Sequence, residues 1–160
     1  MDEAGRWRVV VQEADFDPGA ELEALRGPDC GALVSFVGVA RDLSEDFDVG
    51  QITLEHYPGM TERSLHGILA QARSRWSLGG ACILHRVGTL HPGDRIVLVA
   101  VASRHRDAAF DACRFLIDYL KTDAPFWKRE AGRAGARWVE AKESDESARA
   151  RWVPPAGDSG

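Results

Sequence analysis

Residues 121–130 read K-T-D-A-P-F-W-K-R-E, and the fold turns on where this stretch stops being helix. Pro125 lacks a backbone N–H and disfavours helical geometry at Ala124. A helix arriving from upstream should therefore end near Lys121, and an extended piece should begin by Lys128. The chain holds three lysines against seventeen arginines, and Lys121 and Lys128 flank this break. Lysine, unlike arginine, can lose its proton and act as a nucleophile or a general acid/base. A cation also suits the negative end of a helix dipole, and Lys128-Arg129 reads equally as solvated loop charge. Spacing alone leaves both readings open.

Upstream of the break, Asp107 to Lys121 places Phe110, Cys113, Leu116, Ile117 and Leu120 at helical spacing, which predicts an amphipathic helix with those residues inward. Ser103-Arg104-His105-Arg106 stands at its start. Free N–H groups at a helix N-terminus favour anions, so His105 and Arg106 sit where a phosphate or carboxylate would be held. Earlier still, Ala81–Val87 and Arg95–Ala102 are strands separated by the turn H-P-G-D at 91–94, which predicts an antiparallel pair. Thr61–Trp76 carries Leu65, Ile68, Leu69, Ala72 and Trp76 on one stripe of a helix that covers a sheet. Gln51–His56 alternates as a half-buried strand does. Gly31–Val39 is nearly continuous in apolar residues, as expected of a central strand covered on both faces, with Arg41 a cation at its mouth. The acidic stretch Asp42–Gly50 reads as a mobile loop. Asp17-Pro18 supplies an N-cap and a first helical residue, and Trp7–Glu13 is a β-branched first strand.

Downstream, Phe126–Glu130 and Arg137–Ala141 flank the glycine-rich Gly132–Gly135, predicting a terminal β-hairpin. Ser144–Trp152 reads as a short last helix. Residues 1–8 are expected to be a flexible N-terminus and 153–160 a disordered tail, which leaves a single domain over 9–152. Helices alternating with antiparallel hairpins indicate an α+β class.

At 160 residues and 44% apolar content the chain supports one core. A net charge of −5 argues against a general nucleic-acid binder, and an RNA-binding sheet would also need an aromatic-bearing strand that is missing. Cys30, Cys82 and Cys113, odd in number and without C-x-x-C spacing, read as small core residues rather than a disulfide or zinc set. Neither metal nor cofactor is indicated, and no phosphate-binding glycine loop is present. With no apolar run of signal or membrane-spanning length, a cytoplasmic protein is expected.

L-E-H-Y-P-G-M-T-E (54–62), H-R-V-G-T-L-H-P-G-D (85–94), D-Y-L-K-T-D-A-P-F-W-K-R-E (118–130) and R-W-V-E-A-K-E-S-D (137–145), in that order, resemble the molybdopterin synthase catalytic (large) subunit family. The resemblance implies an α/β hammerhead fold with an additional antiparallel sheet. It implies a homodimer within a heterotetramer, each end binding a small ubiquitin-like sulfur-carrier subunit. The implied reaction converts cyclic pyranopterin monophosphate to molybdopterin with sulfur from the carrier's thiocarboxylated C-terminal glycine. On that likeness Lys121 and Lys128 match the catalytic lysines. His105 and Arg106 match the basic substrate-binding pair and Arg41 the substrate-binding arginine after the central strand, and the backbone of Val39 and Ala40, with Arg129 and Glu130, falls in pocket-lining segments. The family often carries a polar residue where Val39 stands and arginine where Lys142 stands. These cations are expected to share one hollow. A rival from another class is a non-catalytic module that holds a phosphorylated ligand or a partner's C-terminal carboxylate with the same basic cluster.

Overall fold

The computed structural model describes residues 4–41, 49–132, 135–139 and 150–152, with backbone alone for 4, 49–50, 127–132 and 135–139. After a 3-10 turn at Ala4–Arg6 the order is β1 (Trp7–Gln12), α1 (Pro18–Glu23), β2 (Ala32–Val39), β3 (Val49–His56), α2 (Met60–Arg75), β4 (Gly80–Arg86), β5 (Gly88–Leu90), β6 (Arg95–Ser103), α3 (Arg106–Asp123), β7 (Phe126–Gly132) and β8 (Gly135–Val139). The first sheet runs β1-β4-β6-β2 and the second β5-β3-β7-β8. Within the first sheet only β1 and β4 are parallel. The α+β architecture with an additional antiparallel sheet is thus present.

The core is built around β4 and β6, whose apolar runs are buried on both faces. On one face Ile83, Val97, Val99 and Val101 meet Leu65, Ile68 and Leu69 of α2 and Phe115, Leu116 and Leu120 of α3. On the other, Cys82, Leu84, Leu98 and Ala100 meet Phe16 and Leu25, with Leu22 of α1 alongside. Each fully buried Leu or Val side chain contributes about 1.5–3 kcal/mol. Asp17 caps α1 as its sequence indicates, Oδ1 accepting from the N–H groups of Gly19 and Ala20 at 3.0 and 3.2 Å. Desolvation pushes the Cys82 thiol up to about 11 and the Cys113 thiol to about 12. Both are buried and Cys30 is half-buried.

Two expectations are corrected, and two features are added. β2 is an edge strand, not a central one: β6 pairs with one side of it, and among the described residues no strand pairs with the other. Phe110 points outward, 61% exposed, on the stripe of Arg106, Arg114 and Lys121, while Phe115 takes the buried place. The short strand β5 joins β4 to the second sheet through β3. Trp7 and Arg8 already pair with Ala81 and Cys82, so the first sheet starts ahead of residue 9. The acidic stretch 42–48, the turn residues 133–134 and the segments 140–149 and 153–160 lie outside the described residues, and with them Lys142 and most of the expected last helix.

Residues 150–152 return to the helical layer. Trp152 stands edge-on to Trp76 and Phe115, with centroids at 5.8 and 5.6 Å. Its Nε1 donates to Oδ2 of the buried Asp118 at 2.6 Å, and its carbonyl accepts from Arg75 at 3.2 Å. Trp152→Phe keeps a ring in place but removes the donor to a buried carboxylate. Stability should fall by about 1–3 kcal/mol, read from urea midpoints; an unchanged midpoint would show that water replaces the bond at no cost.

Candidate active site

α3 lies antiparallel to β6, and the Cys113 thiol donates to the Val99 carbonyl at 3.7 Å near the middle of both. From that point Lys121 is about 12 Å along the helix and Arg95 about 13 Å along the strand in the same direction. Lys121 is therefore level with the start of β6. Val39, paired with Arg95, brings the end of β2 to the same level. Between Gly38 and Val39 the register slips, Ile96 being the extra residue on β6. Such a bulge re-aims the strand end. Val39 is left 50% exposed, Ala40 is buried and Arg41 emerges to solvent. Both backbone polar groups of Ala40 are engaged by the 91–94 turn, its N–H donating to Asp94 O at 2.8 Å and its carbonyl accepting from Gly93 N at 2.7 Å.

The second sheet closes this end. β7 starts directly after Pro125, with Lys128 opposite Leu54 of β3 and Val139 of β8, Arg129 opposite Thr53 and Trp138, and Glu130 opposite Ile52 and Arg137. The side chains of Trp127, Lys128, Arg129 and Glu130 lie outside the described residues. Ile52, Leu54, Leu90 and Ala40 form a small core that joins the two sheets here.

Not every cation at this end is available. Arg95 donates to both carboxylate oxygens of Asp15 at 3.1 and 2.8 Å, which holds the Asp15 carboxyl below its usual range. Arg86 donates to the carbonyls of Glu13 and Arg95. Arg41 and Lys121 are exposed.

His105 and Arg106 are elsewhere. They open α3, so Arg106 and Lys121 stand fifteen residues apart on one rigid helix, about 22 Å along its axis. A single chain does not gather all the expected cations into one hollow. His105 is the N-cap with extended backbone, and its side chain makes no capping bond to the first turn.

Three residues that sequence reading did not single out surround the break at Pro125. Thr61, wholly buried in the first turn of α2, donates its hydroxyl to the Pro125 carbonyl at 3.0 Å and accepts from the Tyr57 N–H at 3.1 Å. The Phe126 ring stacks on His85, centroids 3.9 Å apart and planes 18° from parallel, with His56 on the same ring at 6.5 Å. His85 Nδ1 donates to the Arg86 carbonyl at 2.8 Å, which fixes the ring. Thr61 and Pro125 are 64 residues apart, so the contact leaves no local signal.

A family model described as MoaE protein matches residues 11–123. The chain belongs to the MoaE family. A curated molybdopterin synthase catalytic subunit from Ralstonia nicotianae is 57% identical over 146 residues, which is 90% of this chain and 83% of that one. The MoaE protein of molybdopterin biosynthesis from Burkholderia ambifaria superposes with a TM-score of 0.79 at 50% identity, over 91% of this chain and 97% of its own. A chain from the complex of subunits 1 and 2 of molybdopterin-converting factor from Helicobacter pylori shares the fold at a TM-score of 0.68 and 20% identity, over 84% of this chain and 90% of its own. MoaE membership makes this chain a catalytic subunit of the molybdopterin synthase kind, in molybdenum-cofactor biosynthesis, and sets the non-catalytic reading aside. Among the described residues no helix is long and apolar enough to cross a membrane.

Gly59, at φ +85°, is the N-cap of α2 in a conformation suited to glycine. Its N–H donates to Glu62 Oε2 at 2.6 Å. The Glu62 carboxyl is held below the ordinary glutamate range by its own backbone N–H first, then by that of Gly59 and by His56 at 3.6 Å. A depressed folded value contributes stability above the unfolded value, about 4.3, and loses it as pH falls through the folded one. The stability advantage of the native chain over Glu62→Gln should therefore hold at neutral pH and shrink in acid, by urea unfolding; a gap that does not change with pH would overturn this role.

Proposed function

We propose that this chain converts cyclic pyranopterin monophosphate to molybdopterin. The two sulfurs come in turn from the thiocarboxylated C-terminal glycine of a small ubiquitin-like carrier subunit, in the cytoplasm. Lys121 acts closest to the chemistry, as general acid/base or transient acyl acceptor. Lys128 orients substrate and stabilises the negative charge that develops on oxygen as the pterin side chain opens. Arg41, Arg106 and Arg129 supply fixed charge for the phosphate in bidentate geometry, His105 assists them, and Val39, Ala40 and Glu130 line the pocket. The observation that carries this reading is the shared end of α3, β2 and β7, where Lys121, Arg41 and the backbone of Lys128 meet a sheet junction in a chain of MoaE sequence.

The working unit is a homodimer within a heterotetramer. The separation of His105-Arg106 from Lys121 along α3 supports it, and so does the apolar edge of β2 with which no strand pairs among the described residues. A long free edge invites pairing with another chain. Two copies related by a two-fold axis beside β2 would run these strands antiparallel. The Val39–Arg41 end of one protomer would then lie near the Ser103–Arg106 end of its partner, completing the phosphate site across the interface. Exposed Phe110, on the outer face of α3, would be covered in the same assembly. The Helicobacter pylori structure, a complex of two subunits, supports a separate small partner.

Reconstitution with a thiocarboxylated carrier and the cyclic pterin, followed by mass detection of the dithiolene product, tests the chemistry. Lys121→Ala and Lys128→Ala should still bind the carrier but lose about a hundredfold or more in product formation; wild-type turnover in both would defeat the lysine assignment.

Mixing two inactive variants, Lys121→Ala and Arg106→Ala, tests the shared site. Random exchange of protomers should restore about a quarter of native turnover, because half of the dimers then carry one intact site of two. No recovery after verified exchange would place all the residues of a site on one chain.

A further inference from the structure

We propose that Thr61 and His85 are positioning residues for the lysine pair, clamping the proline break so that the end of α3 and the start of β7 hold one mutual geometry. The inference rests on the lysine reading given above and adds to it two side chains that belong to neither element.

Lys121 lies in the last turn of α3 and Lys128 is the third residue of β7. Between the helix and the strand, Ala124 and Pro125 belong to neither. Ala124 is extended at φ −77°, ψ 132°, Pro125 fixes only its own φ, and the Phe126 N–H closes a tight turn on the Ala124 carbonyl at 2.9 Å. A small rotation here would swing β7 against α3 and carry the two amines with it.

Two contacts from outside oppose that rotation. The Thr61 hydroxyl is wholly buried and already accepts from Tyr57 N–H, so its single hydrogen is directed at the Pro125 carbonyl. Because Thr61 belongs to the capped first turn of α2, that carbonyl is referred to a rigid helix. On the far side of the same peptide the Phe126 ring lies flat on His85. His85 is the penultimate residue of β4, and its ring is fixed by the bond to Arg86 O. The break is thus held from the helical layer and from the central sheet at adjacent residues. Neither side chain is assigned contact with substrate.

Misplacement of reacting groups by about 1 Å costs on the order of a hundredfold in rate. Thr61→Val keeps the shape but removes the donor, whereas Thr61→Ser keeps the donor. At temperatures where circular dichroism shows each variant folded, Thr61→Val should lose about tenfold to a hundredfold in kcat with the KM for thiocarboxylated carrier unchanged, and Thr61→Ser should recover most of it. His85→Leu, which removes the platform under Phe126 and leaves Thr61 intact, should show the same kcat-selective loss and decides the matter if Thr61→Val does not fold. A second readout needs no turnover: linking of Lys121 to Lys128 by difluorodinitrobenzene, quantified by peptide mass, should drop in Thr61→Val and His85→Leu and persist in Thr61→Ser, with single-amine labelling unchanged. Native kcat and native linking in the folded variants, or a serine variant as impaired as the valine one, would overturn the proposal. If the native protein forms no dithiolene, the sulfur-transfer reading fails and the linking yields alone judge the clamp.

Discussion

The match in length between α3 and β6 governs the rest of the molecule. A helix of 18 residues and a strand of 9 span nearly the same distance, about 27 and 30 Å, and they run antiparallel with Cys113 against Val99 at their centres. Whatever follows β6 therefore sits at one end of the sheet and whatever follows α3 at the other. His105 and Arg106 belong to the first group, Lys121 and the residues of β7 to the second. Packing of Phe115, Leu116 and Leu120 onto the sheet fixes this arrangement. The division of charge between the two ends follows from apolar burial, not from electrostatics.

The second sheet exploits that division. β5 lies between β4 and β6 in the chain, β3 follows β2 and leads into α2, and β7 follows α3; Ala40, Ile52, Leu54 and Leu90 form the small core at this junction. Close packing there makes a rigid floor. Above it the cations separate by duty. Arg95 and Arg86 tie loops to strands, while Arg41 and Lys121 are left in solvent.

Much of this is legible in the residues. The β4–β6 pair, the two long helices, the capped α1 and the terminal hairpin all follow from periodicity, turn chemistry and the proline at 125, because each depends on neighbours in sequence. What is not legible depends on distant partners. An apolar strand reads the same whether a neighbour on its second side comes from its own chain or from no described residue, hence the misplacement of β2. Phe110 and Phe115 differ by about 140° around a helix, and hydrophobicity alone cannot say which of two phenylalanines faces the sheet. At the site, Arg41, Lys121 and His105 are visible as basic side chains at element ends. Their division between opposite ends of one helix is a matter of helix length and strand direction together. The hydroxyl of Thr61 reaching Pro125 is invisible for the same reason.

The buried thiols bear on what this catalyst must avoid. On the sulfur-transfer reading, an accessible cysteine near the pocket could take the carrier's acyl group as a thioester and release the sulfur as hydrogen sulfide, so that the cargo is lost to the pterin. Cys82 and Cys113, with values driven to about 11 and 12 by desolvation, stay protonated and walled off at neutral pH. In the sulfur-transfer reading their place inside the packed layers keeps those thiols from diverting the delivered atom, and leaves amines, which bind sulfur weakly, as the groups that meet it.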